Sequence, residues 1–318
     1  MNVKTATIEL VKSIKGEKNF RNNKNLVLVG LSSSGKSKIL KDMIEKLFDE
    51  NIYFIDSPNR VIKTSIGTFN SFEDFKVKDV LTCRNKEKYF GAKDVFSEEI
   101  GTELILSELN KKKIFYKKLF KEVINKRLTF DEDLPFGELT DAIESFKLDN
   151  IDLNHISSGY QAQIRILMEV NFAVEQGCKI IIIDEYDAHL DFKDSKFFLD
   201  SLCNKYTAIR FIIVVHSAYT LIELENFDVL KIYKEYDRIE QNECVYFDSN
   251  DLYELSSIHS KIFDIESGRK KRDLIFTDAL SQKIALGNVN AEFFCEVEKL
   301  EKLSIRENVL LEYIKGCK

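Results

Sequence analysis

Gly30-Leu31-Ser32-Ser33-Ser34-Gly35-Lys36-Ser37 is the stretch on which the reading of this chain turns. It fits GxxxxGK[ST] and stands between a short apolar run, Asn25–Val29, and a set of residues at helical spacing: Ile39, Leu40, Met43, Ile44, Leu47 and Phe48. Strand, glycine-bounded loop and amphipathic helix in that order aim backbone N–H groups and a helix N-terminus at one point, an arrangement suited to phosphate. Gly30, Ser32, Ser33, Ser34, Gly35, Lys36, Ser37 and Lys38 are therefore the candidate triphosphate-binding residues. In such a loop Lys36 reaches the β- and γ-phosphates and the Ser37 hydroxyl is a ligand for Mg²⁺.

Downstream, Ile180-Ile-Ile-Ile-Asp184-Glu185 places two acids at the end of an apolar run, and Phe211–Val215 leads into His216-Ser217. Both runs lack polar residues, as strands buried on both faces do, and ligands collect at the C-terminal ends of parallel strands. Asp184 is the candidate for the Mg²⁺ shell, Glu185 for polarising an attacking water, and His216 for a place beside the same site. Ile156-Ser157-Ser158-Gly159-Tyr160-Gln161 opens an amphipathic helix leading to the first of these strands; by itself Ser-Ser-Gly reads as a helix cap.

Helical patterns precede each apolar strand, so the expected fold is α/β with a mostly parallel central sheet. Asn51–Ile66 reads as two short strands about Ser57-Pro58-Asn59, residues 71–155 as a charge-rich, mostly helical insertion, and Asp228–Tyr233 with Glu243–Phe247 as a closing hairpin. The expected division is a head over residues 1–248 and a mostly helical extension over 249–318.

The 318 residues, 44% hydrophobic and 31% charged, can bury a sizeable core. The longest apolar runs fall far short of the roughly 20 residues of a membrane helix, and the N-terminus lacks a secretory pattern, so the expected location is cytoplasmic with no membrane partner. Six scattered cysteines without a CxxC, and four histidines without metal spacing, exclude a zinc site or disulfide framework and read as reduced thiols. The net charge of −6 excludes a surface that binds nucleic acid all over. Arg269–Arg272 and the lysine-dense Lys111–Lys126 keep a local nucleic-acid contact possible, although nearby acids favour solvated faces. The pattern Phe293, Phe294, Val297, Leu300 and Leu303 favours a packed helix over a docking surface.

The order of these elements, with Asp187-Ala-His189-Leu-Asp191 following Glu185, resembles the ATP-binding-cassette (ABC) ATPase superfamily over roughly Lys24 to Ser217. It looks most like the soluble branch that contains structural-maintenance-of-chromosomes (SMC) and DNA-repair ATPases and the overcoming-lysogenisation-defect (OLD) type ATPases of bacterial defence. The resemblance implies ATP as substrate, Mg²⁺ as cofactor, and two heads that sandwich two nucleotides as a homodimer or higher oligomer. Glu185 and His216 would then be catalytic, Ser157, Ser158, Gly159 and Tyr160 would contact the nucleotide of the other head, and Asp187–Asp191 would line the seam. It further implies a separate effector, in an antiviral-defence or DNA-repair setting.

The family often has Gly where Ser33 stands and Thr where Lys38 stands, and its signature usually has Gly and Gln or Glu where Ser158 and Tyr160 stand. No glutamine precedes Gln161, so the family's Q-loop has no counterpart beyond Asn70, and Phe20 is the nearest adenine-stacking candidate. The missing glutamine disfavours a membrane transporter's nucleotide-binding subunit, the first alternative; a nucleotide-gated scaffold without turnover is the second. Lys36 to Ser157 is too short to hold a long coiled-coil arm, and no nuclease cluster follows His216.

Overall fold

The computed structural model describes residues 1–16, 25–48, 51–56, 76–85, 108–109, 111–130, 146–152, 155–234, 239–252, 258, 271–298, 303 and 305–316. They divide into two compact units, Met1–Ile258 and His259–Lys318. Expectations placed on Phe20, on 57–66, on Asn70, on Arg269–Lys270 and on Leu300 lie outside the described residues.

The first unit is built on a six-stranded sheet. Its strands are β1 (Asn25–Gly30), β2 (Ile52–Ile55), β6 (Ile180–Ile183), β7 (Arg210–Val214), β8 (Phe227–Ile232) and β9 (Cys244–Asp248), in the order β2-β6-β7-β1-β8-β9. All neighbours are parallel except β8 and β9, whose antiparallel register pairs Asp228 with Asp248 and Ile232 with Cys244, as the expected hairpin requires. β2, β6 and β7 are nearly pure Ile, Phe, Tyr and Val because both faces are covered.

One covering layer is α1 (Val3–Ile14) with α2 (Lys36–Lys46). Val3, Ala6, Leu10 and Val11 meet Ile39, Leu40, Met43 and Ile44 in a core that also takes Leu28, Phe54, Ile182 and Val214 from the sheet. Asn2 caps α1 by accepting from the Thr5 N–H and bridges Glu243 just before β9, where the Met1 ammonium donates to Cys244 O at 3.0 Å. Further elements are α5 (Ser158–Glu175), α6 (Phe192–Lys205) and the short α7 (Ala218–Ile222). From Gln161 to Ala173 every residue of α5 is buried, as in a helix enclosed on all sides.

The segment expected to be mostly helical holds α3 (Val77–Asn85) and α4 (Lys113–Val123), but also an antiparallel sheet of β3 (Leu128–Phe130), β4 (Phe146–Leu148) and β5 (Ile151–Asp152). Alternation explains the difference: Phe146 and Leu148 are buried on either side of the half-buried Lys147, and Phe130 meets Phe146 edge to face at 4.8 Å. On α4 and its flanks the lysines are engaged: Lys118 pairs with Glu122, Lys112 with Glu108 and Glu175, Lys126 with Asp149, and Lys117 lies over the Phe130 ring. This is the solvated-face pattern. The second unit packs α8 (Lys271–Leu286), α9 (Ala291–Glu298) and α10 (Ile305–Lys315) about Phe276, Ala279, Phe293, Val297 and Ile314. Phe293, Phe294, Val297 and Leu303 thus serve a packed helix core.

No helix among the described residues is long and apolar enough to cross a membrane. Of the described cysteines, Cys178, Cys203, Cys244 and Cys295 form no disulfide.

Candidate functional site

The phosphate loop joins β1 to α2. Ser33 at its crest has φ 63°, a left-handed conformation in which glycine is unstrained, so the family's frequent Gly at this place has a physical reason. Gly35 caps α2 with φ 116°, again outside the range open to most side chains. Lys36, only 7% exposed, folds over the loop and donates from Nζ to the carbonyls of Gly30 (2.8 Å) and Leu31 (3.0 Å). Burial lowers its pKa, while Asp184, Glu185 and Asp187 pull the other way.

β6 delivers the acids. The Asp184 N–H donates to Ile55 O at the end of β2, and the Asp184 carboxylate accepts from the Glu185 N–H at 3.0 Å. Glu185 has φ 44°, a strained conformation for a side chain other than glycine and of the kind concentrated at functional sites. The chain then turns so that Asp187 lies under the end of β7. Its carboxylate accepts from the His216 N–H (3.0 and 3.2 Å) and the Ser217 N–H (2.7 Å), which sets the backbone carrying His216. Because β7 lies between β1 and β6, His216 stands between loop and acids. Ser32, Glu185, Asp187, Ala188, His216 and Ser217 line one cavity of about 480 Å³.

The expected Mg²⁺ ligands are Ser37 and Asp184. Among the described residues no cluster of three or more His, Cys, Asp or Glu could hold a metal. A hydroxyl and one carboxylate are the hard oxygen donors that Mg²⁺ takes when phosphates and water complete its shell, so these two residues fit the ion.

Of the predicted site residues, Ser32, Glu185 and His216 line this cavity; Gly30, Ser33–Lys38, Asp184 and Ser157–Tyr160 do not. Ser157 caps α5, accepting from the Tyr160 N–H, and it and Ser158 are exposed. Lys126 stands 4.9 Å over the Tyr160 ring. Gly159 touches the turn after β6: a Cβ there would fall 2.9 Å from His189 O. Helix start and acid turn of one chain are therefore mutually positioned, with the serines facing outward. Asp191 ends the turn as the cap of α6, accepting from the Lys193 and Asp194 N–H groups.

Sequence reasoning missed a buried ionic network beside β2. Arg84 of α3, fully buried, donates to Glu169 Oε2 (2.8 Å) and Oε1 (3.2 Å) of α5 and to Phe54 O (2.5 Å), and lies 3.4 Å from Asp56. Glu169 also accepts from Arg165 Nε (2.8 Å) and Tyr53 OH (2.9 Å). Burial alone would raise the pKa of Glu169, but the two guanidiniums outweigh it and hold the carboxyl down at about 2. The available signal was Arg165 and Glu169, opposite charges four residues apart in a helix whose other residues carry no charge before Glu175. Sequence reasoning also missed Asn242, whose Nδ2 donates to Ser34 O at 2.9 Å and steadies the loop.

No protein-family model matches the chain, and no curated protein matches it. Among solved structures it is similar to an ATP-binding cassette of an ABC transporter in its ADP conformation, with 13% identity, a TM-score of 0.41, and coverage of 77% of this chain and 88% of that one. It is also similar to a dimeric, post-hydrolysis ATP-binding cassette bound to ADP and Pi (17%, 0.35, 70% and 86%) and to a structure from work on ATP-driven dimerisation of SMC ATPases (12%, 0.33, 46% and 91%). At these identities and scores the likenesses assign no activity to this chain.

Proposed function

We propose that this chain is an ABC-type ATPase that binds ATP with Mg²⁺ between two copies of its head, hydrolyses it, and uses the change in association to control a separate effector. The observation that carries the reading is the cavity in which the phosphate loop's Ser32 meets Glu185, Asp187 and His216, while Ser157 and Ser158 face outward from the same chain. A cavity that joins Ser32 to Glu185 and His216, on a chain whose Ser157 and Ser158 are exposed elsewhere, is suited to completion by a second copy.

In the proposed reaction a water oxygen attacks the γ-phosphorus, the bond from that phosphorus to the β,γ-bridging oxygen breaks, and ADP and phosphate leave. Glu185 accepts the proton released by the water, Lys36 balances charge on the β- and γ-phosphates, and His216 hydrogen-bonds the γ-phosphate. Mg²⁺ held by Ser37 and Asp184 would supply Lewis-acid neutralisation of phosphate charge. Ser157, Ser158, Gly159 and Tyr160 add hydroxyls, N–H groups and a helix N-terminus to the partner's nucleotide. A role in antiviral defence or DNA repair belongs to this proposal through the sequence resemblance alone.

The test is light-scattering mass with and without ATP–Mg²⁺, alongside phosphate release, for wild type and Glu185→Gln. A variant that accumulates as a nucleotide-dependent dimer while losing turnover by about 100-fold or more supports the reading, since general bases contribute on that scale. Mass indifferent to nucleotide, with turnover unchanged in the variant, would remove both the trans role of Ser157–Tyr160 and the catalytic role of Glu185.

A further inference from the structure

We infer that Ile239 is the wall against which the nucleoside of the bound triphosphate packs. This rests on the ATPase reading above and concerns the part of the ligand that reading leaves unplaced. Sheet order defines two flanks of the phosphate loop: β6 and β7 lie on one side of β1 and β8 on the other. The first flank carries Glu185, Asp187 and His216, where a terminal phosphate belongs. A triphosphate so placed runs back towards the start of α2, at Gly35 and Lys38, and its nucleoside emerges over the β8 flank.

At that point stands the 3₁₀ turn Ile239–Gln241, between β8 and β9. A Cβ built on Gly35 would fall 2.4 Å from Ile239 Cγ2, yet Ile239 keeps 37% of its surface exposed. Glu240 is close enough to Lys38 to favour its charged form, after the larger contribution of Asp42. The turn is clamped in place. Asn242, fully buried, donates from its backbone N–H to Ile239 O (3.1 Å), from Nδ2 to Ser34 O (2.9 Å), and accepts from the Val3 N–H at its carbonyl (3.1 Å).

The result is one part-exposed isoleucine fixed to the phosphate loop on the side away from Glu185 and Asp187, with the exposed Glu240 and Gln241 following it. An isoleucine offers contact but no hydrogen bond, so it favours nucleoside triphosphates over bare triphosphate and reads adenine and guanine alike. The ligand class is therefore nucleoside triphosphates.

Calorimetric titration of ATP, GTP and inorganic tripolyphosphate, each with Mg²⁺, tests this on wild type, Ile239→Ala and Ile239→Leu. Ile239→Ala is expected to weaken ATP and GTP roughly tenfold, the low end of what missing methyl groups cost an apolar contact, to leave tripolyphosphate unchanged, and to be rescued by Ile239→Leu. Equal weakening of all three ligands, or of none, overturns the wall. Wild-type binding of tripolyphosphate but not ATP also overturns it and leaves the phosphate loop standing. Wild-type failure to bind any of the three removes the ATPase reading as well.

Discussion

Replacing Glu169 by Gln isolates one buried charge. Its carboxylate accepts from Arg84, Arg165 and Tyr53, and the two guanidiniums hold its pKa at about 2 against an ordinary value of 4.5. A depressed carboxyl contributes stability that is fully present above the unfolded value and is lost as pH falls towards the folded one. At about 1.4 kcal/mol per unit, the shift corresponds to about 3 kcal/mol at pH 7, lost progressively between about pH 5 and pH 2. Glu169→Gln removes that titration and leaves Arg84 and Arg165 short of a counter-charge, a change that costs about 3–5 kcal/mol when one member of a buried pair is removed. Urea midpoints for both proteins at pH 7, 5, 4 and 3 make the check. The stability gap is expected to be widest at pH 7 and to close as the solution is acidified. A gap under about 1 kcal/mol at pH 7, or one independent of pH, would show that the guanidiniums do not stabilise this carboxylate.

Further expectations concern loop and acid turn. Ser33→Gly relieves a φ of 63° and should raise stability by about 0.5–1 kcal/mol, measured by urea unfolding, without loss of ATP affinity. In Gly159→Ala the helix-propensity gain of up to about 1 kcal/mol is opposed by a Cβ 2.9 Å from His189 O. Light scattering should show less ATP-dependent dimer with little gain in stability. Asp187→Ala removes the acceptor of the His216 and Ser217 N–H groups, so kcat for phosphate release should fall far more than ATP affinity, with about 1–3 kcal/mol of stability lost. Equal changes in kcat and affinity would mean that Asp187 does not position His216.

Much of the site was legible because its signals are local. The loop octet, the acids after Ile180–Ile183 and His216 after Phe211–Val215 each follow an apolar run of strand length, and the structure ends a strand at each place. The insertion was less legible: β3, β4 and β5 have two or three residues each, too short for alternation to compete with the helical pattern around them. Asn242 and Arg84 were illegible because their partners, Ser34 and Glu169, are remote in sequence and no pattern pairs them.

Outside the insertion, the sequence by itself determined the kinds of element and the chemical groups at their ends, since hydrophobic period and turn chemistry act within a few residues. Only the tertiary structure decided that β7 lies between β1 and β6, so that His216, Glu185 and Ser32 share a cavity, and that Ile239 closes on Gly35 from the other flank. Strand order and the meeting of loops are set by packing between segments far apart in the chain, where burial of both sheet faces selects one arrangement that no local pattern specifies.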